Sequence, residues 1–93
     1  MINDQTPLHV AAANNDTNVA RMLLLSGADI DAVTRVDFEF TPLMQAAHRG
    51  NKEMVKLLLE NGASVEFRNS SGKTAITVAA PGCLDLLKNV TRK

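Results

Sequence analysis

Two stretches decide the fold: "TPLHVAAANNDTNVARMLLLSGADI", residues 6–30, and "TPLMQAAHRGNKEMVKLLLENGASV", residues 41–65. They align without a gap at an offset of 35 (Thr6 to Thr41), and Thr, Pro, Leu, an Ala pair, Leu-Leu and Gly-Ala coincide. A third copy opens at "TAITVAA" (74–80), 33 residues after Thr41, and ends early in "PGCLDLLKNVTRK" (81–93). Self-similarity at this period is the signature of a repeat architecture. One unit cannot bury its apolar face alone, so neighbours must stack, and about three units are the minimum for a stable array.

The physics of one unit follows from its residues. Thr6 and Thr41 can cap a helix by accepting hydrogen bonds from its orphan N–H groups. Pro7 and Pro42 then stand at the first helical position, where a missing N–H costs nothing. The first helix is expected to run to about Asn14 and about Arg49. Leu8, Ala11 and Ala12 share a face on it, as do Leu43, Ala46 and Ala47. Asn15-Asp16 and Gly50-Asn51 supply a tight turn and a cap for a second helix. That helix carries an apolar stripe of Val19, Met22 and Leu23 in the first copy, and of Met54, Leu57 and Leu58 in the second. Gly27 and Gly62 fall where a left-handed residue closes the helix. A polar, extended finger leads from each Gly-Ala to the next Thr. In the third copy Pro81 is expected to stop the first helix near Ala79, with Gly82 turning the chain. Leu84, Leu86, Leu87 and Val90 then form a closing helix with Asp85, Lys88 and Asn89 toward water, and Lys88, Arg92 and Lys93 suit its C-terminal end.

This pattern resembles the ankyrin repeat, whose hallmark is T-P-L-H-x-A. Residues 6–12 match it outright, residues 41–47 lose only the His, and residues 74–80 keep Thr and the Ala pair. The resemblance implies an all-α solenoid of stacked helix-turn-helix units with short β-hairpin-like fingers. The chain is read as one domain, with repeats at about 1–35, 36–68 and 69–93, the last acting as a C-terminal cap. The resemblance also implies that the residues just before each Thr, together with the variable end of each first helix, form a concave binding face. His9 is read as bonding Thr6 or the backbone at its own helix start. At the other end no polar capping unit precedes Leu8, Val10 and Val19. This points to an excerpt of a longer array, or to an end buried against a partner.

Composition narrows the function. Of 93 residues, 45% are hydrophobic and 22% charged, which suits a soluble globular domain. No apolar run, such as Met22–Leu25, approaches the roughly 18 residues of a spanning helix, and the N-terminus carries no signal-peptide pattern. The single cysteine, Cys83, cannot form an internal disulfide, which points to a reducing compartment, cytoplasmic or nuclear. Formal net charge is zero but uneven: residues 1–46 hold six acids against two bases, and residues 47–93 eight bases against four acids. Bases interleave with acids and no basic-aromatic platform emerges, so neither nucleic acid nor a membrane is expected as a partner.

The chain holds three Phe and no Trp or Tyr, and two of the three stand in "VDFEF", residues 36–40. Thr41 stands thirteen positions after Ala28, whereas Thr74 stands eleven after Ala63, so this finger has two extra residues. Glu39 replaces the Gly72 of the third copy, so the finger is expected to turn differently. Phe38 and Phe40 align with polar Asn3 and Gln5, and with Ser71 and Lys73, which predicts solvent access. Two readings compete. In one, Phe38 and Phe40 are partner-facing anchors, as aromatics often are at interfaces; in the other, they pack on Val33, Val36 or Phe67 to hold an enlarged finger. His48 and Arg49 rank next as binding residues, followed by Arg35, Asp37, Asn14 and Lys73. Ala13, Val33, Arg68, Ser70 and Ser71 line the same face. A Phe pad ringed by Asp37, Glu39 and Arg49 suits a short partner segment with an apolar anchor and a basic residue.

Other sites fail on chemistry. "FRNSSGKT" (67–74) lacks the first glycine and the preceding buried strand of a phosphate loop. His9, His48 and Cys83 have neither metal-ligand nor nucleophile–base spacing. The sequons at Asn15, Asn69 and Asn89 matter only in a secretory compartment. The sequence therefore reads as a non-enzymatic protein–protein interaction module, without cofactor, metal or small-molecule substrate, whose partner is another protein or a peptide segment. The alternatives are a segment of a larger scaffold or enzyme serving as spacer or intramolecular regulator, and a small dedicated inhibitor or effector.

Overall fold

In each unit, threonine and proline start the first helix. The computed structural model describes residues 6–34 and 39–91, and among these the regular elements are all helical. The first unit contains α1 (Pro7–Ala13) and α2 (Thr17–Leu25), the second α3 (Pro42–Arg49) and α4 (Lys52–Glu60), the third α5 (Ala75–Val78) and α6 (Pro81–Thr91). Thr6, Thr41 and Thr74 each accept from the backbone N–H three residues on, His9, Met44 and Thr77, at 3.2–3.3 Å. No described helix is long and apolar enough to cross a membrane.

The helices stack in two layers. In one layer α3 packs on α1 and α5 on α3; in the other α4 packs on α2 and α6 on α4. Leu8, Ala11, Ala12, Leu43, Ala46, Ala47 and Ala75 are buried between the first helices, and Ala20, Met54, Val55, Leu57, Leu58, Cys83 and Leu87 come from the second. Cys83 is thus a core residue, and desolvation pushes its thiol above the usual range.

The turns between paired helices are built on positive φ. Asn15 (56°) and Gly50 (76°) occupy aligned positions, and the next residues, Asp16 and Asn51, donate back to Ala11 O and Ala46 O. Left-handed backbone is tolerated by Asn and cost-free for Gly. Gly27 (96°) and Gly62 (89°) close the second helices as expected.

Three expectations change. Asp16 caps α2 through Val19 N (3.3 Å), but the aligned Asn51 makes no side-chain cap on α4. Its amide reaches back across the stack to Ala12 O (2.8 Å) and Ala13 O (3.1 Å), the orphan carbonyls at the end of α1. The Asn amide can donate where a carboxylate cannot. Secondly, Gly82 makes no turn: it lies inside α6, with the Lys52 stem only 2.9 Å from where a Cβ would stand. The chain turns instead at extended Ala79, the C-cap of α5, and Pro81 starts the next helix. Thirdly, the apolar stripe of α2 is not core. Leu23 is half-buried, while Val19 and Met22 are exposed although their counterparts Met54 and Leu57 are buried. In the second unit α2 packs on α4, whereas α2 itself packs on α1 and α4.

Leu58→Ala, at a fully buried site, is expected to cost about 2–5 kcal/mol. Leu25→Ala, on the exposed end of α2, should cost within about 0.5 kcal/mol. Urea unfolding followed by circular dichroism measures both.

Candidate functional site

The fingers are held at their necks. In the second finger Thr34 N donates to Phe40 O (3.1 Å) and Phe40 N donates to Thr34 Oγ1 (3.0 Å). In the third, Asn69 N donates to Lys73 O (3.0 Å), while Asn69 Oδ1 accepts from Ser71 N and Lys73 N, both at 2.9 Å. Thr34 and Asn69 are aligned, and both are buried. Five residues (35–39) lie between the paired positions of the second finger and three (70–72) between those of the third. The two-residue excess therefore sits in the tip. Gly72 turns the short tip at φ 76°, whereas Glu39 has no positive φ.

A contact unforeseen in the sequence fixes the second neck to the first unit. His9 is fully buried, and its Nε2 lies 2.7 Å from Phe40 O. Its Nδ1 lies 3.2 Å from Thr6 N and 2.9 Å from Thr6 Oγ1. A backbone N–H can only donate, so Nδ1 accepts and the proton sits on Nε2, which donates to Phe40 O. The expected bond between His9 and Thr6 is present, and the imidazole also bridges two units. Burial lowers the pKa of His9, although the carbonyls of Phe40 and Ala32 pull it up.

A second link joins finger to finger. Glu39 Oε1 accepts from Ser70 N (2.7 Å) and Ser70 Oγ (2.6 Å), which holds the carboxyl below its ordinary pKa. Asp31 Oδ1 accepts Ser64 N at 3.0 Å in the same way. Both partners are more than thirty positions away, and no local pattern announces either bond.

The structure brings together two of the residues singled out in the sequence. The Phe40 and His48 rings meet edge to face, with centroids 5.9 Å apart and planes at 70°. Phe40 is half-buried, packed against the core and not fully in water. His48 and Arg49 are exposed on the last turn of α3, before left-handed Gly50. Asn14 is exposed as the C-cap of α1, and Lys73 is exposed with its backbone in the third neck. Arg35, Asp37 and Phe38 lie outside the described residues. Among the described residues no cluster of His, Cys, Asp and Glu could hold a metal ion.

Stacked helix pairs with hydrogen-bonded fingers define a helical repeat protein whose variable tips project from a buried framework. The chain belongs to the ankyrin repeat family: the family model "Ankyrin repeats (3 copies)" matches residues 8–91. Ankyrin repeats generally mediate protein–protein interaction and are a non-catalytic fold. The chain is 37% identical over 89 residues, 95% of its length, to protein phosphatase 1 regulatory subunit 12A of Mus musculus. It is 40% identical over 76 residues, 82% of its length, to ankyrin repeat and SOCS box protein 11 of Homo sapiens. A probable E3 ubiquitin-protein ligase of Oryza sativa subsp. japonica is 45% identical over 76 residues, 81% of this chain. The chain spans 8%, 23% and 17% of the lengths of these three relatives.

The His9 geometry fixes a pH response. Protonating Nδ1 sets a donor against the Thr6 N–H. The folded chain therefore takes up this proton less readily than the unfolded chain, whose histidine titrates near 6.5. The stabilising contribution is complete above that pH and is lost as pH falls below it. Urea midpoints between pH 7.5 and 5 should fall on acidification, and His9→Asn should be less stable at pH 7.5 with a flatter profile. A wild-type midpoint unchanged across that range would contradict the assigned tautomer.

Proposed function

We propose that this chain is a non-catalytic interaction module that grips another protein, or a peptide segment of one, on the face formed by its fingers and the ends of its first helices. Phe40 and His48 are its centre and Arg49 its flank. The observation that carries this reading is the edge-to-face pair at the surface. An aromatic ring is half-sunk in the core, its backbone is tied to Thr34 and His9, and an exposed imidazole stands at its edge. A ring held in place before binding loses little conformational freedom on contact, and aromatic anchors of this kind dominate interface energetics. Phe38, Asp37 and Arg35, two to five residues before Phe40, belong to the same proposed face, with Asn14 and Lys73 at its margins. The carboxylate of Glu39, held ionised by Ser70, gives the face an acidic element that suits a basic residue on the partner.

A second reading is that the module works inside a larger polypeptide, as a spacer or intramolecular regulator. It is favoured by the small share of each relative's length that the chain spans. One of those relatives is a phosphatase regulatory subunit, which fits a regulatory role in either reading.

His48→Ala with Arg49→Ala removes two exposed side chains and should weaken partner capture at least tenfold while the melting temperature stays within a few degrees, since surface changes seldom exceed about 0.5 kcal/mol. Phe40→Ala should weaken capture and also lower stability, because its ring is half-buried. Titration calorimetry or immobilised-chain capture, read beside thermal melts, separates these effects. Undiminished capture by both variants would refute the assignment of this face.

A further inference from the structure

Ser26, Ser70, Ser71 and Thr77 are exposed hydroxyl residues. Ser26 follows α2 and Thr77 lies inside α5, whereas Ser70 and Ser71 stand on the tip of the third finger. Of these four, only the tip pair has a base within three residues on each side, Arg68 before it and Lys73 after it. The two tip serines differ in what they hold. Ser71 N donates within its own tip, to Asn69 Oδ1 at 2.9 Å. Ser70 holds the neighbouring finger: its Oγ (2.6 Å) and its N (2.7 Å) both donate to Glu39 Oε1. A serine hydroxyl has one proton to give, and here it goes to that carboxylate. The Asp31–Ser64 link uses a backbone N–H instead, which no change at a hydroxyl removes.

We propose that Ser70 is a phosphorylation site whose modification parts the tips of the second and third fingers. The step is transfer of the γ-phosphoryl group of ATP by a serine kinase that selects basic flanks. The bond between Ser70 Oγ and phosphorus forms, the bond from the γ-phosphorus to the β,γ-bridging oxygen breaks, ADP leaves, and the hydroxyl proton passes to the kinase's base. That proton is the one Glu39 accepts. Phosphoserine carries a charge of about −1.5 to −2 near pH 7, so an anion with no proton to donate faces a carboxylate that stood 2.6 Å from Oγ. Repulsion replaces a bond that is strong because its acceptor is ionised. Arg68 and Lys73 draw the phosphate toward its own finger. Glu39 directly precedes Phe40, so release of the tip loosens the neck that carries the ring. The functional consequence, weaker partner capture, rests on the recognition role proposed for Phe40 above; the phosphorylation site and the parting of the fingers do not.

The test uses the 93-residue chain without a partner. A basophilic serine kinase with Mg²⁺ and ATP is expected to place phosphate on Ser70, located by tandem mass spectrometry, and to lose that incorporation in Ser70→Ala. Phosphate on Ser71 instead, or none, would overturn the proposal. Phosphoserine encoded at position 70 then gives a uniform sample for NMR. The Glu39 carboxyl, held below its ordinary pKa by Ser70 in the unmodified chain, should titrate higher in Ser70→Ala and higher still with the phosphate. A rise no larger than that in Ser70→Ala would sink the inference. Amide exchange at Phe40 should quicken several-fold with the phosphate, while Val55 and Leu58 in the core stay as they were. Glu39→Gln, whose amide can donate to the phosphate, should restore slow exchange at Phe40; equal loosening in that variant would show the phosphate acting elsewhere and refute the clasp. None of these readings involves capture, so the clasp and the Phe40–His48 face can fail separately.

Discussion

Alanine at four buried positions, Ala11, Ala12, Ala46 and Ala47, sets how closely the first helices approach, and everything else in the fold hangs on that distance. With no side chain beyond Cβ, α1 and α3 can lie near enough for Asn51 to reach the carbonyls at the end of α1 and for the imidazole of His9 to reach the neck of the next finger. A larger residue at any of the four would push the stacked units apart and break polar contacts that are made only across units. Hydrophobic burial supplies the driving force, while the alanines fix the geometry in which buried polar groups find partners. Among the described residues no buried side-chain nitrogen or oxygen lacks one.

Those polar contacts are unequal from unit to unit. His9 ties the second finger to α1, but position 44 is Met, fully buried, and cannot do the same for the third. Asn69 compensates locally, its side chain accepting from two backbone N–H groups of its own tip. The longer tip of the second finger cannot use that short-range arrangement, because five residues intervene where Asn69 spans three. A long finger braced by a histidine from the preceding unit and a short finger braced by its own asparagine are two solutions to one problem, which is satisfying the neck's backbone groups away from water.

Local chemistry made most of the frame legible in the sequence. The capping threonines, the prolines at the first helical turn, the closing glycines and the Ala–Leu faces all act within a few residues, and each stands where its own neighbours predict. What escaped depends on contacts between units. Asn51 looks like Asp16 by position, and only the stack reveals that its amide serves a different helix. Gly82 reads as a turn, because sequence gives no sign that the Lys52 stem lies across it. Val19 and Met22 read as core because their period is right; burial, however, depends on having a neighbour. The Glu39–Ser70 bond was hidden for the same reason. At the candidate site, the pairing of Phe40 with His48 could be anticipated from the register, but the half-burial of the ring could not.

That half-burial bears on why a phenylalanine stands at position 40. The work done at the neck is backbone work: the N–H of residue 40 donates to Thr34, and its carbonyl accepts from Thr34 and His9. Any residue with an N–H could do it, and in the third finger Lys73 performs the corresponding backbone role with its side chain in solvent. The frame therefore does not require an aromatic ring here. An aromatic carries more apolar surface than a neck needs, and leaving part of it exposed forgoes part of its transfer free energy. A ring only half-buried, and placed by backbone bonds that the scaffold makes whatever the side chain is, suits the recognition role proposed for it. On those grounds the ring, and not the neck beneath it, is where the proposed face would draw its specificity.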